Sequence, residues 1–213
     1  MARVIHWDVD TQYDFMRADG KLYVPDAEQL IPSLRRLTDF AHANQICIVA
    51  SADDHVTGHR ELSDTPDWRD TFPPHCLRGT PGQKKIPETA LRDPLVIEPE
   101  PWDAVALAAQ VRAHRGDVLL HKHWFDVFTN ANVETVLDAL APAAIVLYGV
   151  ALDVCNRYAI EGLLTRRPAI RLYAVKDAMK PIHQDAADRL LRDWERRGVR
   201  LIATEDALKA RAA

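Results

Sequence analysis

Short apolar runs alternate with amphipathic stretches along most of this chain, and that alternation limits the available folds more than any other feature. Arg3–Asp10 reads as a strand with a polar end, and Asp26–Asn44 as a helix whose apolar positions Leu30, Ile31, Leu34, Leu37 and Phe40 line one face. Gln45–Ala52 is a continuous apolar strand. Asp103–Arg115 reads as helix, Asp117–Lys122 as strand, and Val133–Leu140 as helix. Ala143–Val150 is the most apolar strand and leads into a helix over Asp153–Arg166. A strand at Ile170–Val175, a helix over Gln184–Arg197 and a last strand near Val199–Ala203 complete the series. Strands rich in Val, Ile and Leu, each followed by a helix, predict an open, mostly parallel sheet of about six strands with helices on both faces, an α/β three-layer arrangement of Rossmann type.

At 213 residues the chain suits one domain spanning 1–213, and no linker or internal repeat divides it. Lys+Arg 27 against Asp+Glu 31 gives a net charge of -4, so there is no basic field for nucleic acid or anionic lipid. The longest apolar runs are too short for a bilayer. MARVIHWDVD reads as a strand, not as a secretion signal, and Cys47, Cys76 and Cys155 cannot all pair. These readings predict a reduced, cytoplasmic setting. The stretch from about 53 to 101 breaks the alternation: it is rich in Pro, Gly, His and charge and lacks a long periodic segment. Such a stretch inside a compact domain is usually functional.

In open α/β sheets ligands sit beyond the carboxyl ends of the strands. There the sequence places Asp8, Asp10 and Asp14, then Asp53, Asp54 and His55, then His121, Lys122 and His123, and finally GVALDVC, ending in Cys155. Cys155 falls at the start of a helix, where the macrodipole lowers a thiol pKa and free N–H groups can hold an oxyanion. Cys47 lies inside an apolar strand and reads as core; Cys76, in a loop, has no helix to activate it. A buried Lys122 requires a carboxylate partner. Asp8 and Asp10 are two residues apart and share a strand face, so parity does not choose between them. Asp53 and His55, with His75 from the loop and His59 as a further candidate, offer a carboxylate–imidazole set suited to a divalent zinc, iron or manganese ion with open positions.

Five segments together resemble the nicotinamidase/isochorismatase-like cysteine hydrolase superfamily, its nicotinamidase branch more closely. DVDTQYDFM, ASADDHVTGH, FPPHCLRGTPG, KHWFDVF and GVALDVC occur in the family's order and span nearly the whole chain. The resemblance implies the isochorismatase-like fold and a Cys155–Asp10–Lys122 triad that hydrolyses a C–N bond through an acyl-enzyme. It implies an oxyanion hole from the N–H groups of Ala151 and Cys155, with a cis peptide before Ala151. It further implies one divalent ion, zinc first, held by Asp53, His55 and His75, and a homo-oligomer acting on a small amide such as nicotinamide. Phe15, Phe72, Trp124 and Phe125 are the candidate pocket walls for a flat ring.

Phe72 stands where the family usually has tryptophan, Asp126-Val127-Phe128 where it has S-A-F, and Leu152 where it has threonine. The departures bear on which amide is cleaved. Hydrolysis of biuret-type or ureido compounds is the nearest alternative reading. The vinyl-ether isochorismatase reading is disfavoured because, as the resemblance implies, that branch does not use the cysteine. A non-catalytic binding module predicts a lost triad member, and none is lost.

Overall fold

The computed structural model describes residues 3–209. Seven strands form one sheet in the order β3-β4-β2-β1-β5-β6-β7, every neighbouring pair parallel. In chain order the elements are β1 (Val4–Val9), α1 (Tyr13–Met16), α2 (Ile31–Ala43), β2 (Ile48–Asp53), β3 (Leu95–Ile97), α3 (Ala104–Ala113) and β4 (Val118–Lys122). There follow α4 (Val133–Leu140), β5 (Ala144–Val150), α5 (Cys155–Arg166), β6 (Arg171–Lys180), α6 (Gln184–Arg196), β7 (Arg200–Ile202) and α7 (Thr204–Ala207).

Alternation along the strands explains the three layers. In β5, Ile145 and Leu147 join the core beneath α3–α6, whereas Val146, Tyr148 and Val150 join the core beneath α2 and α7. Covering both faces removes water from the whole of β5, which is why that strand reads as unbroken apolar sequence. The α2 stripe of Leu34 and Leu37 is fully buried, as its spacing predicts.

The expected strands and helices are present, with three short additions: α1, β3 and α7. β3 lies inside the stretch from 53 to 101, at the sheet edge, and its three residues are too few to show a period. The remainder of that stretch is held by scattered backbone pairings: the N–H of His55 donates to Cys76 O at 3.2 Å and that of Arg78 donates to His55 O at 2.7 Å. Leu62 likewise bridges to Phe72. The chain reverses its direction of progress across the sheet between β1 and β5, so the carboxyl ends of β1, β2, β4 and β5 surround one crevice. Gly149 makes the close approach there possible: at φ +119° its hydrogen faces Val9 O, where a Cβ would lie 2.0 Å away. Among the described residues no helix is long and apolar enough to cross a membrane.

Candidate active site

Asp10 lies one residue past β1 and has φ +49°, so strand parity ceases to apply to its side chain. The two aspartates take different partners. Asp8 accepts from Thr11 Oγ1 at 2.9 Å and from Lys85 Nζ at 2.9 Å. Asp10 accepts from Ser51 Oγ at 2.7 Å and its Oδ2 lies 2.9 Å from Lys122 Nζ. Gln12 clips the ends of β1 and β2 together: its Nε2 donates to Asp53 O at 2.8 Å and its Oε1 accepts from Asp53 N at 2.7 Å.

Lys122 ends β4 fully buried, with its ammonium between Asp10, Asp53 and Cys155 Sγ, the last at 3.7 Å. Burial opposes its charge, but Asp10 and Asp53 outweigh burial and hold the lysine well above its ordinary pKa. One ammonium cannot equally ionise two buried carboxylates. Burial pushes Asp10 upward against the pull of Lys122, whereas Asp53, also desolvated, is carried below the usual carboxylate range by Lys122 and the two histidines. The two buried carboxyls are thereby pushed in opposite directions. Burial raises the Cys155 thiol well above its ordinary value, with Lys122 as the counteracting charge. Burial thus favours the neutral thiol over the thiolate.

Cys155 is the first residue of α5, next to the cis Val150–Ala151 peptide, and both Ala151 and Cys155 line a small apolar pocket. Phe15, Phe72, Leu22, Val24, Val154 and Ile182 form its walls, with Asp53, Glu61 and His75 at one side. Of the expected aromatic walls, Phe15 and Phe72 are present. Trp124 and Phe125 do not line it: Trp124 packs on Phe125 at 4.2 Å beneath the Arg60 guanidinium, and Phe125 packs on Tyr158 at 4.8 Å in the core.

Beside the pocket, Asp53, His55, Glu61 and His75 are all buried, and a ligand atom from each lies within 4.8 Å of the others. His75 Nε2 is 3.5 Å from Asp53 Oδ2 and 3.6 Å from Glu61 Oε1. Asp53 Oδ2, His55 Nε2, Glu61 Oε2 and His75 Nε2 are buried without a hydrogen-bond partner. Four converging orphan atoms of this kind are costly unless a cation collects them, so the donor set fits a divalent ion. His75 Nδ1 donates to Pro73 O at 2.7 Å, which leaves Nε2 bare for a metal. Glu61 was not legible in the sequence: it is a loop carboxylate with no spacing signal, and only its burial distinguishes it. Burial, reinforced by Asp53, pushes its carboxyl up to about 8. His59 stands outside this set; its Nδ1 faces His55 Nδ1 at 3.2 Å and its ring packs on His123 at 4.3 Å.

The model of the isochorismatase domain matches residues 8–206. Over 78 residues the chain is 36% identical to a nicotinamidase/pyrazinamidase of Mycobacterium tuberculosis (strain ATCC 25618 / H37Rv), covering 35% of this chain and 39% of that relative's length. The pyrazinamidase of Pyrococcus horikoshii, solved in complex with zinc, superposes with TM-score 0.74 at 21% identity over 94% of this chain and 99% of that one. A pyrazinamidase/nicotinamidase from Streptococcus mutans UA159 superposes with TM-score 0.71 at 19% identity, over 93% and 99%. The sheet order, the ordered motifs and the span of the family match lead to one conclusion: this chain belongs to the isochorismatase-domain family.

Proposed function

We propose that this protein is a metal-assisted cysteine amidohydrolase that converts a small amide to its acid and ammonia. The observation that carries this reading is the contact of Lys122 Nζ with Asp10 and with Cys155 Sγ, the thiol that lines the pocket, adjoining four orphaned donors suited to one cation. Sγ attacks the carboxamide carbon while Asp10 takes the thiol proton. The N–H groups of Ala151 and Cys155 receive the developing oxyanion at the start of α5. Asp10 then gives its proton to the departing nitrogen, the C–N bond breaks and ammonia leaves. Water attacks the thioester carbon, Asp10 takes the water's proton, the C–S bond breaks, and the proton returns to sulfur. Lys122 remains charged throughout and balances the thiolate and the carboxylate in turn.

Asp53, His55, Glu61 and His75 would hold the ion, zinc first among the candidates. When bound, it supplies a Lewis acid that fixes a substrate donor atom beside the thiol. The relatives named as nicotinamidases and pyrazinamidases make flat heterocyclic amides the first class to test, with the ring entering between Phe15 and Phe72. A slender aliphatic or carbamoyl amide is the second reading, favoured by the narrowness of the pocket, about 20 Å³. Ammonia release from nicotinamide, pyrazinamide, biuret and aliphatic amides, with and without chelator, separates the two. The wild type should release ammonia from at least one of them. Cys155→Ala should release none while retaining fold and metal content. Undiminished hydrolysis by that variant would eliminate the covalent route.

A further inference from the structure

A much larger groove adjoins the pocket over Cys155. Phe72, Val154 and Ile182 line both spaces, so the two share a wall at the residue immediately before Cys155. The groove encloses about 530 Å³, against about 20 Å³ for the inner pocket. The inner space as it stands is close to that of one water, less than a carboxamide fills. A substrate must part the shared walls to place its reacting group at Cys155, and the groove then lies beside its remaining portion.

An aromatic wall continues along the same path. His75 packs against Phe72 with ring centroids 6.5 Å apart, and Phe72 meets Trp68 edge-on at 6.4 Å. Trp68 is 56% exposed and has φ +61°. Asp67 Oδ1 secures that conformation by accepting the N–H groups of Arg69, Asp70 and Thr71 at 3.0, 2.9 and 2.8 Å. A left-handed tryptophan is an unfavourable backbone choice, here fixed by its own turn in a position that leaves the indole facing the groove.

Charge determines what the groove accepts. Arg69, Arg157, Arg189 and Arg196 line it, although the chain as a whole has a net charge of -4. Its two carboxylates are already engaged. Asp153 accepts the N–H groups of Ile182 and His183, each at 2.8 Å, and Asp193 pairs with Arg196 and Arg197. Arg157 contacts Glu161 through Nε, and Arg189 has no carboxylate partner among the described residues. Guanidinium groups left with free N–H donors beside an aromatic face suit a carboxylate on a short spacer.

We propose that the groove is a carboxylate-binding subsite, and that the natural substrate is an amide whose far end bears a carboxylate held by Arg189 and Arg157, with Trp68 covering the spacer. This deepens the amidohydrolase reading and rests on it for turnover. Its binding component is independent of catalysis.

Glutaramate and its neutral counterpart pentanamide serve as the probes. In calorimetric titration of metal-loaded Cys155→Ala protein, glutaramate should bind at least about tenfold more tightly than pentanamide, as expected for charge-assisted hydrogen bonds. Adding Arg189→Ala or Arg157→Ala should remove most of that preference. With active enzyme, the ratio of kcat/KM for glutaramate over pentanamide should fall by a similar factor in either arginine variant, chiefly through KM. Equal binding of the two probes, or a preference unchanged in both arginine variants, overturns the subsite. Tight, arginine-dependent binding of glutaramate without release of ammonia from any amide would leave the subsite standing and sink the hydrolase. Hydrolysis of both probes with equal efficiency would do the reverse.

Discussion

Asp10 shows how one backbone angle assigns chemistry. Because it leaves β1 in a left-handed conformation, its carboxylate reaches Ser51 and Lys122, while Asp8 is spent on Thr11 and Lys85. Asp10→Asn should lower kcat by about 10²–10⁴-fold, the usual contribution of a positioned acid–base group, with metal content unchanged. Steady-state kinetics together with elemental analysis checks this. A second buried titratable group acts on stability alone. Burial, with a smaller contribution from the charge of His42, depresses His6 to about 4. The folded state therefore holds His6 neutral where the unfolded chain would protonate it. Its contribution is complete above about pH 6.5 and is lost as pH falls from there toward 4, about 3 kcal/mol in all. His6→Phe keeps a ring between Phe40 and Tyr148 and should flatten the acid limb of stability over that window in denaturant titrations. A wild-type profile as flat as the variant's would exclude the assignment.

At the scale of elements, the strands and long helices were legible because each carries a period, and the ends of β1, β2, β4 and β5 could be read as a single crevice from chain order alone. What escaped was built from single contacts. β3 has three residues, Glu61 has no spacing rule, and Trp124 and Phe125 pack on each other instead of lining the pocket, although their composition suits one. The loop carrying His75 depends on such a contact as well. Asp14 Oδ2 accepts the N–H of Cys76 at 2.7 Å, and Gly82 packs so closely on that carboxylate that a Cβ would lie 2.2 Å from Oδ2. Gly82→Ala should displace Asp14 and shift His75, destabilising the fold by about 1–3 kcal/mol. Metal affinity should fall by about tenfold or more, measured by competition with a chromophoric chelator. Unaltered affinity would show that the loop is positioned without Asp14.

For the whole molecule, the candidate ion joins β2 to a loop with little regular structure, so binding should raise global stability. A metal present at about 100 times its Kd contributes about 2.7 kcal/mol, which for a chain of this length shifts Tm by about 5–10 °C. Calorimetric scans before and after chelation test this, and an unmoved Tm would argue against a metal in this cluster. Asp53 sits at the junction, with one oxygen against the Lys122 ammonium and the other turned toward His75. Electron density drawn to one side of that carboxylate is withdrawn from the other, so the hardness of the occupying ion should be felt two atoms further on, at sulfur. Exchanging zinc for manganese would then change how fast iodoacetamide labels Cys155, although the thiol is not one of the four candidate donors.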